Sequence, residues 1–147
     1  MNIPYFAYGS NMHLGQMAAR CPGARILDLV AKRGWRFIIN DRGYVTAVED
    51  ASAETLGCLW ELTDAHWETL DRYEGVSSGY YHRVNCQVNR LDSGEPLDAV
   101  AYRASSETPG VPTVKYADVV FGGARQIGLP EQYVATIEAW RNGPPQN

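Results

Sequence analysis

The sequence predicts an α+β domain in which a mainly antiparallel sheet, curled or closed on itself, is bracketed by helices. Three observations lead there. Runs rich in β-branched and aromatic residues fill the middle of the chain, at 25–31, 35–39, 44–48, 55–62, 80–89 and 99–103. Helical periodicity dominates the flanks. No repeat, low-complexity tract or linker divides the 147 residues, so one domain spanning 1–147 is expected. So many short strands in so short a chain favour closure, which removes exposed sheet edges.

The elements follow in order. Tyr5-Phe6-Ala7-Tyr8 reads as a short aromatic strand, stopped by Gly9-Ser10-Asn11, residues that favour turns and helix caps. Met12, Gln16, Met17 and Arg20 continue at helical spacing until Cys21-Pro22-Gly23. Four antiparallel strands are expected between 25 and 62, separated by Asn40-Asp41-Arg42-Gly43 and by the polar residues 50–54. Thr63 is the expected N-cap of a helix, with Asp64 and Glu68 near its positive end. Trp67, Leu70 and Tyr73 form its apolar stripe, and Gly75 closes it. Runs 80–89 and 99–103 make a hairpin around Asp92-Ser93-Gly94-Glu95-Pro96. Helices over 113–127 and 131–140 are divided by Gly128-Leu129-Pro130, and 142–147 is expected to fray.

Composition excludes several classes. A net charge of −4 does not supply the basic surface that nucleic-acid binding needs. No window approaches a membrane span, and Met1 to Phe6 lack the basic start of a leader, so a cytoplasmic protein is expected. The three cysteines, Cys21, Cys58 and Cys86, and the three histidines show no metal-ligand spacing. Free thiols and no metal or cofactor are expected; a homodimer is left open.

Few residues stand out for chemistry. The Tyr8-Gly9-Ser10-Asn11 turn leaves backbone N–H groups free to face an anion or a carbonyl oxygen, or is an ordinary capped turn. Ser10 with His13 is a thin serine-hydrolase pattern, since the second glycine of a nucleophile elbow is missing. Glu74 stands at a helix C-terminus, where carbonyls disfavour its charge, between Tyr73 and Gly75-Val76. Both features raise a carboxyl pKa toward the range of a general acid and base. The alternative is a solvated glutamate in a charge cluster with Glu68 and Arg72. Tyr80, Tyr81 and Tyr116 offer hydroxyls to a pocket or pack as amphipathic core residues.

Taken together, these segments resemble the γ-glutamylcyclotransferase (AIG2-like) family. The resemblance is carried by Phe6-Ala7-Tyr8-Gly9-Ser10-Asn11-Met12, by Leu70-Asp71-Arg72-Tyr73-Glu74-Gly75-Val76 with Gly79-Tyr80-Tyr81, and by Tyr116, Gly123-Ala124 and Gly128-Leu129-Pro130. It implies a small mixed, mainly antiparallel β-barrel flanked by helices, with a pocket at the barrel mouth. It implies substrate binding by Tyr8, Gly9, Ser10 and Asn11, a catalytic Glu74, and Tyr81 and Tyr116 bordering the pocket. The implied reaction closes a γ-glutamyl group to 5-oxoproline and releases an amine. The extra aromatic Tyr80 either faces the barrel wall or narrows the amine side. Two other classes stay open: a non-catalytic module that binds a glutamyl-like ligand, and a Ser10 hydrolase.

Overall fold

The computed structural model describes residues 3–146. Its centre is a closed five-stranded barrel of order β1-β3-β2-β4-β5. The strands are β1 (Tyr5–Ala7), β2 (Arg25–Ile39), β3 (Val45–Glu61), β4 (Tyr81–Arg90) and β5 (Pro96–Ala104). Neighbours run antiparallel except where β1 meets β5 in parallel, with Tyr5 opposite Val100. That single parallel pairing closes the barrel and makes it mixed.

β1 is short, and both of its faces are used. Tyr5 and Ala7 join a core with Met17, Cys58, Trp60, Trp67 and Tyr102. Phe6 and Tyr8 join a second core with Val30, Trp35, Val120 and Phe121. Side chains alternate across a strand, so one aromatic tetrapeptide serves two hydrophobic assemblies. The strand carries a run of buried residues rather than an amphipathic alternation.

The four strands expected between 25 and 62 are two. β2 and β3 form one long hairpin whose turn is residues 40–43, and its register shifts between Ile26 and Asp28 and between Arg33 and Trp35. The polar residues 50–54 do not end a strand. They lie where the hairpin is solvated, with Glu54 opposite Arg33 and Glu49 opposite Trp35. Polarity there records exposure, while backbone pairing continues the ladder.

Helix α1 (Leu14–Arg20) begins later than its spacing from Met12 suggests. A 3-10 turn (Ser10–Met12) comes first, and His13 then caps α1 by accepting Gln16 N–H at its Nδ1. Helix α2 (Asp64–Tyr73) is capped by Thr63, whose hydroxyl accepts the His66 N–H while His66 Nδ1 accepts the Thr63 N–H. The expected stripe is corrected here: Trp67 and Leu70 are buried, but Tyr73 is 60% exposed. Positions 67, 70 and 74 share the inward face at i, i+3 and i+7, which turns Glu74 inward.

Helices α3 (Val114–Gln126) and α4 (Glu131–Glu138) complete the second core through Val120, Phe121, Val134 and Ile137. Gly123 brings α3 directly onto the 3-10 turn: a Cβ there would lie 2.5 Å from His13 N. The expected frayed tail is corrected in part. Asn142 belongs to a closing 3-10 turn (Ala139–Asn142) and Gly143 is buried, while Asn147 lies outside the described residues. So do Met1 and Asn2, on which part of the leader reading rests.

Candidate functional site

Glu74 is the residue at which α2 ends. Its N–H still bonds to Leu70 O at 2.8 Å, and Gly75 then turns the chain at φ 64°, a left-handed conformation that glycine enters without strain. The carboxyl keeps only partial contact with solvent. Burial raises its pKa from 4.5 to about 7; Arg20 opposes the rise and Asp71 adds to it. The expected direction holds, with desolvation as the main cause. Asp71 behaves oppositely. Burial pushes its carboxyl up, yet Arg83, paired at 2.7 and 2.9 Å, and the Tyr102 hydroxyl at 2.6 Å hold it below its usual value.

The turn after β1 faces Glu74. Asn11 is 2% exposed, and its amide is oriented by four neighbours. Nδ2 donates to Tyr5 Oη at 2.9 Å and to Glu74 Oε1 at 3.4 Å. Oδ1 accepts from Gln16 Nε2 at 3.0 Å and Arg20 Nη1 at 3.1 Å. Its backbone carbonyl accepts the indole N–H of Trp60 at 2.9 Å. The N–H groups of Gly9, Ser10 and Asn11 precede the first hydrogen bond of the turn, Met12 N–H to Gly9 O, and have no acceptor within it.

Tyr81 and Tyr116 meet at one peptide segment. The Tyr81 hydroxyl donates to Val45 O at 2.7 Å, and Val45 N–H donates to Tyr116 Oη at 3.0 Å. Tyr8 donates to Tyr102 O at 2.5 Å. Burial raises all these phenols far above their ordinary pKa, so each stays a neutral hydroxyl.

These groups line one cavity of about 480 Å³, a volume suited to a small-molecule ligand. Tyr8, Gly9, Ser10 and Asn11 form one wall; Glu74, Tyr81 and Tyr116 also open onto it. The seven site residues that the family resemblance implies are therefore brought together. His13 is not. Its ring caps α1, and Ser10 Oγ instead accepts from Gln16 Nε2 at 2.9 Å, so the two do not form a nucleophile and base. Among the described residues no group of three His, Cys, Asp or Glu side chains is placed to hold a metal ion.

Several lining residues went unremarked in the sequence. Arg20 and Gln16 face the cavity from α1, one turn apart, a spacing visible once the helix is assigned to the same side as Asn11. Arg42 and Tyr44 come from the β2–β3 turn, where they read as ordinary turn chemistry. No local pattern marks them.

A barrel whose mouth gathers a buried, high-pKa carboxyl, an amide-bearing turn and a ring of neutral phenols defines a small-molecule site. Residues 54–137 match the AIG2-like family, and the chain belongs to that family. It is 29% identical to a mouse protein named gamma-glutamylcyclotransferase, over 92% of this chain and 77% of the mouse protein. A human protein of the same name is 24% identical, over 92% and 77%. Among solved structures, one named gamma-glutamyl cyclotransferase superposes with a TM-score of 0.84 at 24% identity, covering 99% of this chain and 89% of that one.

Proposed function

We propose that the protein is a γ-glutamylcyclotransferase: it converts a γ-glutamyl amino acid or amine into 5-oxoproline and the free amine. One observation carries the reading. The carboxyl with a pKa near 7 and residues 9–11, whose amides have no acceptor within their turn, line the same cavity. The curated relatives named above support it.

In this reaction the substrate supplies its own nucleophile. Its α-amino nitrogen attacks the γ-carbonyl carbon, a five-membered lactam closes, and the C–N bond to the leaving amine breaks. Intramolecular attack already has a large effective molarity, so the enzyme folds the substrate and moves protons. Glu74 as carboxylate takes a proton from the α-ammonium, and as carboxylic acid returns it to the leaving nitrogen; the second proton that the attacking nitrogen sheds as the lactam closes ends on the departing amine, which leaves as an ammonium. A pKa near 7 suits both halves. The amides of residues 9–11 hold a substrate oxygen, and Tyr8, Tyr81 and Tyr116 border the glutamyl end as neutral phenols, of which Tyr8 and Tyr81 give their protons to Tyr102 O and Val45 O.

A module that only paired the α-ammonium of the ligand would be served by an ordinary ionised carboxylate, so the raised pKa of Glu74 favours the enzyme. The whole chain acts as one domain, without cofactor. Three free thiols, Cys21, Cys58 and Cys86, suit a reducing compartment such as the cytoplasm. The test is mass-spectrometric product analysis of wild type and Glu74→Gln on a panel of γ-glutamyl amino acids and amines. Wild type is expected to make 5-oxoproline, and the variant to lose at least about 10² in rate. Release of free glutamate would assign a hydrolase instead.

A further inference from the structure

We infer that Arg42 is a specificity residue that binds a carboxylate on the leaving amine, so the site selects γ-glutamyl amino acids over neutral γ-glutamyl amines. This inference rests on the cyclotransferase reading and extends it to the half of the substrate that departs.

Three guanidiniums line the cavity: Arg20, Arg42 and Arg72. Arg20 is committed to Asn11 Oδ1 and covers the Tyr73 ring at 4.1 Å. Arg72 donates to Thr69 Oγ1 at 3.3 Å on its own helix. Arg42 differs. Its guanidinium has no hydrogen-bond acceptor or ion-pair partner among the described residues. Its carbon lies 3.6 Å from the centroid of the Tyr80 ring and 5.5 Å from that of Tyr44. A guanidinium seated on a ring face keeps its in-plane N–H edge free, the edge that receives a carboxylate in a bidentate pair.

The platform beneath it is built rather than incidental. Tyr80 N–H bonds to Gly75 O at 3.2 Å, and Tyr80 O accepts Ser105 N–H at 2.9 Å. The ring presses so closely on Gly75 that a Cβ there would lie 2.7 Å from Tyr80 Cδ2. On the other side, Tyr44 stands edge-on to Tyr116 at 5.2 Å. Arg42 is thus tied by one ring to the residue that follows Glu74 and by the other to the wall of the glutamyl pocket. The extra aromatic at position 80 acquires a function from this stack.

The charge of the substrate gives the selection. A γ-glutamyl amino acid carries a second carboxylate, on the carbon next to the scissile nitrogen. A γ-glutamyl alkylamine or an amino-acid amide has no charge there. A charge-assisted bidentate contact discriminates between them, where a neutral rim would not.

The experiment compares kcat/KM for γ-glutamyl-alanine and γ-glutamyl-alaninamide in wild type and in Arg42→Gln, each followed by 5-oxoproline formation. Intrinsic differences between the two leaving amines cancel when the ratios are compared. Wild type is expected to favour the acid, and Arg42→Gln to lower that ratio by at least about tenfold, chiefly through KM for the acid. If the variant slows both substrates equally, Arg42 serves the glutamyl half or the fold, and the inference fails while the cyclotransferase stands. If wild type makes 5-oxoproline from neither, the cyclotransferase reading fails and takes the inference with it.

Discussion

Asn11 Nδ2 lies 3.4 Å from Glu74 Oε1, joining the turn after β1 to the end of α2 across 63 residues of chain. The contact gives the carboxyl a fixed neighbour that donates a hydrogen bond. Asn11 cannot reverse its amide without losing Gln16 and Arg20 from Oδ1. The proton acceptor and the amide-bearing turn are therefore held in one frame, and the frame bears on how activity depends on pH.

Glu74 must be ionised to accept the substrate proton, and its pKa is about 7, so kcat/KM is expected to rise with pH through an inflection near 7. Two charge changes move that inflection in opposite directions. Asp71→Asn removes a negative neighbour that raises the Glu74 pKa, and shifts the inflection down. Arg20→Gln removes a positive neighbour that lowers it, and shifts the inflection up. Initial rates across pH 5 to 9 check this; shifts of the same sign in both variants would contradict the assignment.

The same carboxyl costs stability. In the unfolded chain it titrates near 4.3, and in the folded protein near 7. Between those values the folded state keeps a proton that the unfolded state has released. Stability therefore falls as pH rises through this window and stays reduced above it. Glu74→Gln removes the cost. The variant is expected to be more stable than wild type at pH 8, by at most roughly 4 kcal/mol, with the advantage gone at pH 4. Urea unfolding at both pH values measures it, and an equal gain at pH 4 would point to packing instead.

Tyr81 and Tyr116 are expected to differ when their hydroxyls are removed. Tyr116→Phe strands the N–H of buried Val45, at a cost of about 1–3 kcal/mol. Tyr81→Phe strands a carbonyl, which has two lone pairs and tolerates the loss better, at about 1 kcal/mol. Thermal or urea denaturation of the two variants side by side ranks them; the reverse order would mean that Val45 N–H finds another acceptor.

The parts of this architecture legible in the sequence are those set by local chemistry. Thr63 caps a helix, Gly75 ends one, and the turn residues expected at 92–96 join a hairpin, because their preferences need no distant partner. The burial of Glu74 was within reach too, since the spacing from Trp67 and Leu70 puts position 74 on the inward face where Tyr73 was expected. The union of four runs into β2 and β3 was not legible, because the composition of 50–54 reports solvent while the ladder depends on the opposite strand. Arg42 was hidden for a similar reason. Its neighbours Tyr44 and Tyr80 are two and 38 positions away, and only the closed barrel stacks them.

The closure of the barrel by Tyr5 against Val100 also orders events in time. During synthesis β1 emerges first, yet its parallel partner follows some 95 residues later, and Tyr116 later still. Contacts so distant in sequence form late in folding. The chain on the ribosome thus presents the turn of residues 9–11 before Glu74 is made, and gains the whole site only once Val100 and Tyr116 have left the tunnel.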